Sequence, residues 1–447
     1  MADRKKTEYV VVGSGAGGGT IAHELIKRGR KVLVLERGPD IRWVGNHAFA
    51  VAILDKHGFL TSKEGMGVAR ALCTGGSTVI TCGTASRPPK GVFEKHGIDL
   101  TPYLEEGERQ LGVTTLPDDV IGEGVLALME AGNRLGMSWV KLQKFIDPTK
   151  CEPRFCNCML GCAKGAKWTS RVLLDEAVSL GAEVLPNVKV EEVIIQQGEA
   201  VGVKAWQRGR GELVIEADRV ILAAGGMGTP VIMQKSGIHG AGNGFFCDPL
   251  AFTIGYHPRL KAGFAPPMTV GTFDFWDSDG FLLSPVVDPW ISMALETVKA
   301  KPSRLLYWPQ YPRTMGIMTK AKDELAGRIS IDETFSKQLT HRDQALLDKG
   351  GSIARKVLIE AGCDPHTIWT TKARGAHPGG TVRIGDMVGT DLQTEIKGLY
   401  VCDASVIPDS LAAPVVLTLV ALAKRLADQL DPAGEKAKGR AEKAAAR

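Results

Sequence analysis

Two groups of residues in this chain could do chemistry, and both are set by spacing. The first is Cys151, Cys156, Cys158 and Cys162, four thiols within twelve residues in a C-x4-C-x-C-x3-C arrangement. Thiolates at such short separations hold iron–sulfur clusters, although this spacing is not a common ferredoxin run. Zinc is a rival, but C-x-C is tight for a four-coordinate structural site. Plain reduced cysteines or disulfides remain a further possibility. The second group is Gly13-Ser14-Gly15-Ala16-Gly17-Gly18, which follows the apolar run Glu8 to Val12 and precedes a helical pattern from Thr20 to Arg28 closed by Gly29. In such a strand–turn–helix Gly13 permits the tight turn. Gly15 lets the backbone approach a pyrophosphate, and Gly18 lets helix and strand pack closely. The helix N-terminus then offers unpaired N–H groups and a positive dipole end to phosphates. A second strand, Lys31 to Leu35, ends on Glu36, placed to accept hydrogen bonds from an adenosine ribose.

The elements further along decide between dinucleotides. Val184 to Val193, which includes Val190, then Ala200 to Trp206 and Glu212 to Ile215 read as short strands between glycine-rich turns. Asp218 to Gly226 reads as another buried strand, ending in Ala224 and Gly225. Near the C-terminus Gly398 to Ser405 forms a strand with Asp403 and Ala404 at its carboxyl end, where open α/β sheets bind ligands. An apolar-faced helix from Leu417 to Leu426 follows, its N-terminus directed at the cofactor ring. A β-meander feeding such a strand favours FAD over NAD.

In four places the chain resembles the glucose–methanol–choline (GMC) oxidoreductases. They are the glycine fingerprint with Glu36; Thr74-Gly75-Gly76-Ser77-Thr78, similar to the family's flavin-wrapping Gly-Gly-Ser-Ser segment; Gly228-Thr229-Pro230 with Ser236-Gly237-Ile238; and His377-Pro378-Gly379-Gly380-Thr381 followed by Asp403-Ala404-Ser405. The resemblance implies an α/β fold: a two-dinucleotide-binding-type, Rossmann-like FAD domain with an inserted α+β substrate domain. It makes Gly75, Gly76, Ser77, Val190, Ala224, Gly225, Asp403 and Ala404 cofactor-binding candidates beside Gly13, Gly15, Gly18 and Glu36. It also implies that His377 takes the hydroxyl proton of an alcohol as hydride moves to flavin N5. Histidine suits that role because its pKa lies close to working pH. The cysteine run, with Gly165-Ala166-Lys167 after it, is similar to a Cys-rich insertion of dehydrogenase members. There it would hold a 4Fe-4S or 3Fe-4S cluster passing electrons to an external protein or quinone acceptor.

Several residues depart from the family pattern. Gly226 and His239 break the second signature, and Thr81 stands where an Asn is usual. Counting from Asp403, the family's second catalytic His or Asn falls on Pro414, which has neither a side-chain donor nor an N–H. His341, His366 and His257 are the candidate substitutes. Pro414 therefore keeps a flavin-dependent reductase or non-redox lyase open, and a third class is an electron-transfer flavoprotein subunit whose FAD and cluster only pass charge.

The expected organisation is a discontinuous FAD domain (1–100, 163–245 and 375–432), a helical excursion with the cysteine loop (101–162), a substrate domain (246–374) and a flexible tail (433–447). Aromatics in 246–374, such as Phe273, Trp276, Trp290 and Trp308, could line a pocket for a hydrophobic or ring-bearing alcohol, or could simply pack. The remaining cysteines, 73, 82, 247, 363 and 402, read as core. Composition is that of an ordinary globular protein, with 44% hydrophobic and 23% charged residues. The net charge of +5 lies partly in the tail, and no Lys/Arg cluster is interleaved with aromatics, so nucleic acid is not an expected partner. The most apolar run, Leu411 to Ala423, is too short for a membrane span, and no apolar signal segment opens the chain. A cytoplasmic protein with reduced thiols is the expectation.

Overall fold

A computed structural model describes residues 3–42, 44–58, 60–153 and 158–432. Cys156 and the tail expected to be flexible lie outside them. β1 (Asp3–Val12) leads into α1 (Ala16–Lys27) and β2 (Val32–Leu35). After α2 (Thr101–Gln110) and α3 (Glu123–Arg134) come β3 (Glu183–Leu185), β4 (Val188–Gln196), β5 (Glu199–Gln207), β6 (Gly211–Leu222) and α4 (Gly225–Lys235). Next are β7 (Pro249–Tyr256), β8 (Phe281–Pro285), α5 (Trp290–Ala300), β9 (Thr314–Ala321), α6 (His341–Glu360), β10 (Trp369–Thr370) and β11 (Arg374–Gly375). β12 (Leu399–Val401) and α7 (Val416–Leu430) complete the described chain.

Seven strands form the first sheet. β3, β2, β1 and β6 run parallel in that order. The sequence pattern splits β6 into two strands because Glu216 and Asp218 interrupt its apolar run, yet it is continuous. Its first half pairs antiparallel with β5, and its last three residues pair parallel with β12. Charged residues are tolerated there because β6 also pairs with the solvent-facing start of β1, from Asp3 to Lys6. Where the sheet is fully covered, Val10, Val11, Val220, Ile221 and Val401 are completely buried, as expected of a parallel sheet with helices over it. α1 packs on α7, and α7 on α2. Lys424 of α7 seals this joint, reaching Glu24 at 2.9 Å and Glu106 at 2.6 Å.

The second sheet takes the order β8, β9, β7, β10, with β11 also on β7. Alternation along its strands divides it cleanly. Ala251 and Ile317 share a core with Leu347, Ala354 and Val357 of α6. Leu250, Phe252, Met318 and Lys320 face the other way and wall a cavity of about 870 Å³ lying against the first sheet.

Candidate active site

At the nucleotide end, α1 starts four residues earlier than its apolar pattern suggests, so the glycines are themselves helical. Tertiary packing outweighs their poor helix propensity: a Cβ on Gly18 would sit 2.0 Å from the Gly13 carbonyl oxygen, leaving no room for a side chain. Gly15 is the opposite case. It lines the cavity, and a Cβ there would meet nothing within 4 Å. As the N-cap it offers no side-chain cap, and the first turn carries no acid. The first-turn N–H groups of a twelve-residue helix therefore open onto the cavity, as a pyrophosphate requires.

Glu36 is buried at the end of β2 and lines the same cavity. One carboxylate oxygen accepts from Ser14 N (3.1 Å) and Ser14 Oγ (2.5 Å), and the other from Gly38 N (2.8 Å). Burial pushes its pKa up against those bonds. The acid thereby fastens the glycine loop to β2. Ser14 extends the brace by accepting from Gly75 N at 3.0 Å. Gly76, Ser77 and Val190 line the cavity, while Gly75 and Gly18 stand behind its wall.

Asp403 plays the matching part at the ring end. It accepts from Gly225 N (2.8 Å) and Thr229 Oγ1 (2.5 Å) with one oxygen, and from Ser405 N (2.8 Å) and Oγ (2.6 Å) with the other. This ties the N-terminus of α4 to the end of β12. Ala224, Gly225, Asp403 and Ala404 all line the cavity, as do Pro414, Val415 and Val416 at the start of α7. The donor set fits FAD: an uncapped helix N-terminus with an acid beside it, a glycine segment along the middle, and a second uncapped helix N-terminus near His377.

His377 follows β11 and lines the cavity. Its Nδ1 lies 2.9 Å from Oδ2 of fully buried Asp248. Asp248 Oδ1 accepts from Ser410 Oγ (2.6 Å) and Ala412 N (3.0 Å). Burial works against ionisation of Asp248, but the bond and charge of His377, with Lys320 and Ser410, hold its pKa below the ordinary value. Burial and the Lys320 charge lower the pKa of His377, with Asp248 opposing them. The arrangement is an ionised carboxylate holding Nδ1–H of a neutral imidazole, whose Nε2 remains a proton acceptor.

Sequence reasoning missed Asp248, which lies 129 residues from His377 and at the margin of a segment assigned to the substrate side. Its signal was an acid standing immediately before an apolar strand. Lys320 was also missed. The candidate substitutes for the second catalytic residue take no part: His257 Nδ1 accepts from Arg259 N and Leu260 N, and His341 and His366 are exposed. None of the three lines the cavity.

Of the cysteine run, Cys158 and Cys162 are buried and Cys151 is partly buried in one core with them. Among the described residues no group of three or more cysteine, histidine or acidic side chains is arranged to hold a metal. Cys82, expected in the core, lines the cavity instead. Lys167, of Gly165-Ala166-Lys167, has a structural part. Its ammonium donates at 2.7 Å to the carbonyls of Val79, Thr81 and Cys158, clamping the glycine segment to the cysteine loop.

A cleft between a sheet of dinucleotide-binding type and a second sheet, with residues that fit FAD and a histidine on its walls, is the arrangement of a flavoprotein oxidoreductase. Residues 7–257 match the N-terminal model of the GMC oxidoreductases and residues 329–423 the C-terminal one. The chain belongs to the GMC oxidoreductase family and is an FAD-dependent oxidoreductase acting on CH–OH groups. It is 26% identical to an uncharacterized GMC-type oxidoreductase of Mycobacterium tuberculosis, over 95% of this chain and 76% of that one. A long-chain-alcohol oxidase of Arabidopsis thaliana is 25% identical over 93% of this chain and 66% of its own length. Among solved structures, formate oxidase of Aspergillus oryzae superposes with a TM-score of 0.73, at 15% identity, over 98% of this chain and all of the other. No described helix is long and apolar enough to cross a membrane.

Proposed function

We propose that the protein oxidises an apolar primary alcohol to the aldehyde, with His377 as the base and Asp248 as its positioning residue. The observation that carries this is the 2.9 Å Asp248–His377 pair, whose histidine lines a cavity also walled by Leu250, Phe252, Met268, Val286 and Met318. FAD, when bound, supplies the acceptor for the hydride. The chain supplies the rest. His377 Nε2 takes the hydroxyl proton, Asp248 fixes the tautomer that makes this possible, and the apolar wall excludes water and seats the carbon chain. The long-chain-alcohol oxidases among its relatives agree with an aliphatic substrate. A base poised in this way also argues against a pure electron carrier, which abstracts no proton from an organic molecule.

The test is a series of primary alcohols assayed with an artificial acceptor. kcat/KM should rise with chain length, and His377→Ala should lower it by about 10²- to 10⁴-fold. A variant as fast as the wild type would remove His377 from the mechanism.

The exit of electrons through an iron–sulfur cluster is a second proposal. It is favoured by the charges of Lys144 and Lys167, which act on the thiols of Cys82, Cys151, Cys158 and Cys162. Opposing it, burial pushes the Cys158 thiol up to about 11, away from the thiolate a metal needs. Protein purified without oxygen and assayed for iron and acid-labile sulfide separates the cases. Several irons per chain, lost in Cys158→Ala, support the relay; absence of iron leaves dioxygen or a soluble acceptor as the outlet.

A further inference from the structure

Among the described residues, Lys320 is a buried cation on the cavity wall without a hydrogen-bond or ion-pair partner. It is 2% exposed, on β9, where most neighbours are apolar. Most other cations that line the cavity are paired: Arg37 with Glu333, Arg70 with Asp55, Lys189 and Lys235 with Glu191, Lys299 with Glu296, and Arg374 with Asp288 at 2.6 Å, while Lys372 is exposed to water. An isolated ammonium taken out of water is costly unless something pairs with it. Among the described residues Asp248 and Cys82 act on it only through their charge and none hydrogen-bonds it, so the direct partner is what enters the cavity.

The sheet fixes where that partner sits. Lys320 is in register with Leu250, and Leu250 with Arg374, so the three form one row across β9, β7 and β11. Side chains in such a row share a face, here the face that walls the cavity. Asp248 is two residues before Leu250 and His377 three after Arg374, and the Lys320 charge acts on both. Pro414, where a second donor was expected, also lines the cavity and has no polar side chain.

We infer that Lys320 is a catalytic residue that donates a hydrogen bond to the substrate oxygen as His377 removes its proton, doing from the substrate sheet what Pro414 cannot do from the start of α7. The inference rests on the alcohol chemistry proposed above. In the step it serves, the O–H bond breaks and the proton passes to His377 Nε2, while the electron pair stays on oxygen. Lys320 keeps its protons and stabilises that oxygen before the C=O bond forms. Donors aimed at developing charge inside a water-excluding site are effective for this reason.

Lys320→Met keeps the side-chain length and removes the charge, and Lys320→Gln is the companion if Met disturbs FAD content. With 1-octanol mixed anaerobically, the limiting rate of flavin reduction should fall by about 10²- to 10³-fold while the apparent dissociation constant moves less than about tenfold. The pH profile supplies a readout that a purely structural role would not move. Burial lowers the Lys320 pKa, with the Asp248 charge opposing it, so the wild-type rate should fall on an alkaline limb below 10.5 that the variants lack. Octanoate, whose carboxylate mimics the charged oxygen, should perturb the flavin spectrum of the wild type far more than that of Lys320→Met, and octanamide should not discriminate between them. A variant rate within about threefold of wild type overturns the inference, as does equal octanoate binding. If no alcohol reduces even the wild-type flavin while octanoate still discriminates, the alcohol reading fails and the oxyanion site at Lys320 stands.

Discussion

The two sheets that wall the cavity treat buried charge in opposite ways. Along the first sheet, Glu36 after β2 and Asp403 after β12 are both buried, and each spends its oxygens on nearby backbone N–H groups and hydroxyls. They stiffen a mould. Along the second sheet Asp248 spends one oxygen on His377, and Lys320 makes no hydrogen bond or ion pair among the described residues. A carboxylate satisfied by fixed backbone donors serves geometry. A carboxylate on a titratable ring, beside an unpaired ammonium, is arranged around a proton that moves.

Asp248→Asn should break this contrast most severely. The amide can no longer hold Nδ1–H as a charged acceptor, so the flavin-reduction rate should fall by about 10²-fold or more with FAD content unchanged. A rate equal to wild type would place Asp248 with Glu36 as a loop brace. Next in size is Gly18→Ala, whose Cβ would strike backbone at 2.0 Å. It should cost about 3 kcal/mol in a denaturation experiment. Gly15→Ala projects into open space and should leave stability within about 0.5 kcal/mol. Its effect should be an FAD affinity lower by about tenfold, measured by fluorescence titration of the apoprotein. If both variants behaved alike, the division between packing and ligand-facing glycines would be wrong.

The same contrast explains what could be read from the chain beforehand. The strand–glycine–helix–strand–acid order is local: each residue answers to neighbours within one supersecondary unit, so Gly13, Gly15, Gly18 and Glu36 declare themselves. The continuity of β6 was hidden because Glu216 and Asp218 look like a break, while the pairing that sustains it comes from β1, some two hundred residues earlier. Asp248 and His377 meet only when β7 and β11 pair, and no spacing rule connects them. Lys320 left a faint signal, a lysine inside the apolar run Thr314 to Ala321. Its meaning depends on which face of β9 is walled by α6 and which by the cavity. The cysteine spacing is also local, but spacing states which thiols are near and not whether they converge.

One measurement bears on the central claim most directly. Wild-type protein loaded with FAD should be mixed with 1-octanol in the absence of oxygen, and the flavin absorbance followed across a pH series. The expected result is bleaching in a single turnover, with a rate that is flat near neutrality. On the acid side the rate should decline as pH falls through a His377 pKa held below 6.5 by burial and Lys320, because protonated imidazole cannot take the hydroxyl proton. Flavin that stays oxidised at every pH with aliphatic alcohols, in protein that binds FAD fully, would contradict the account.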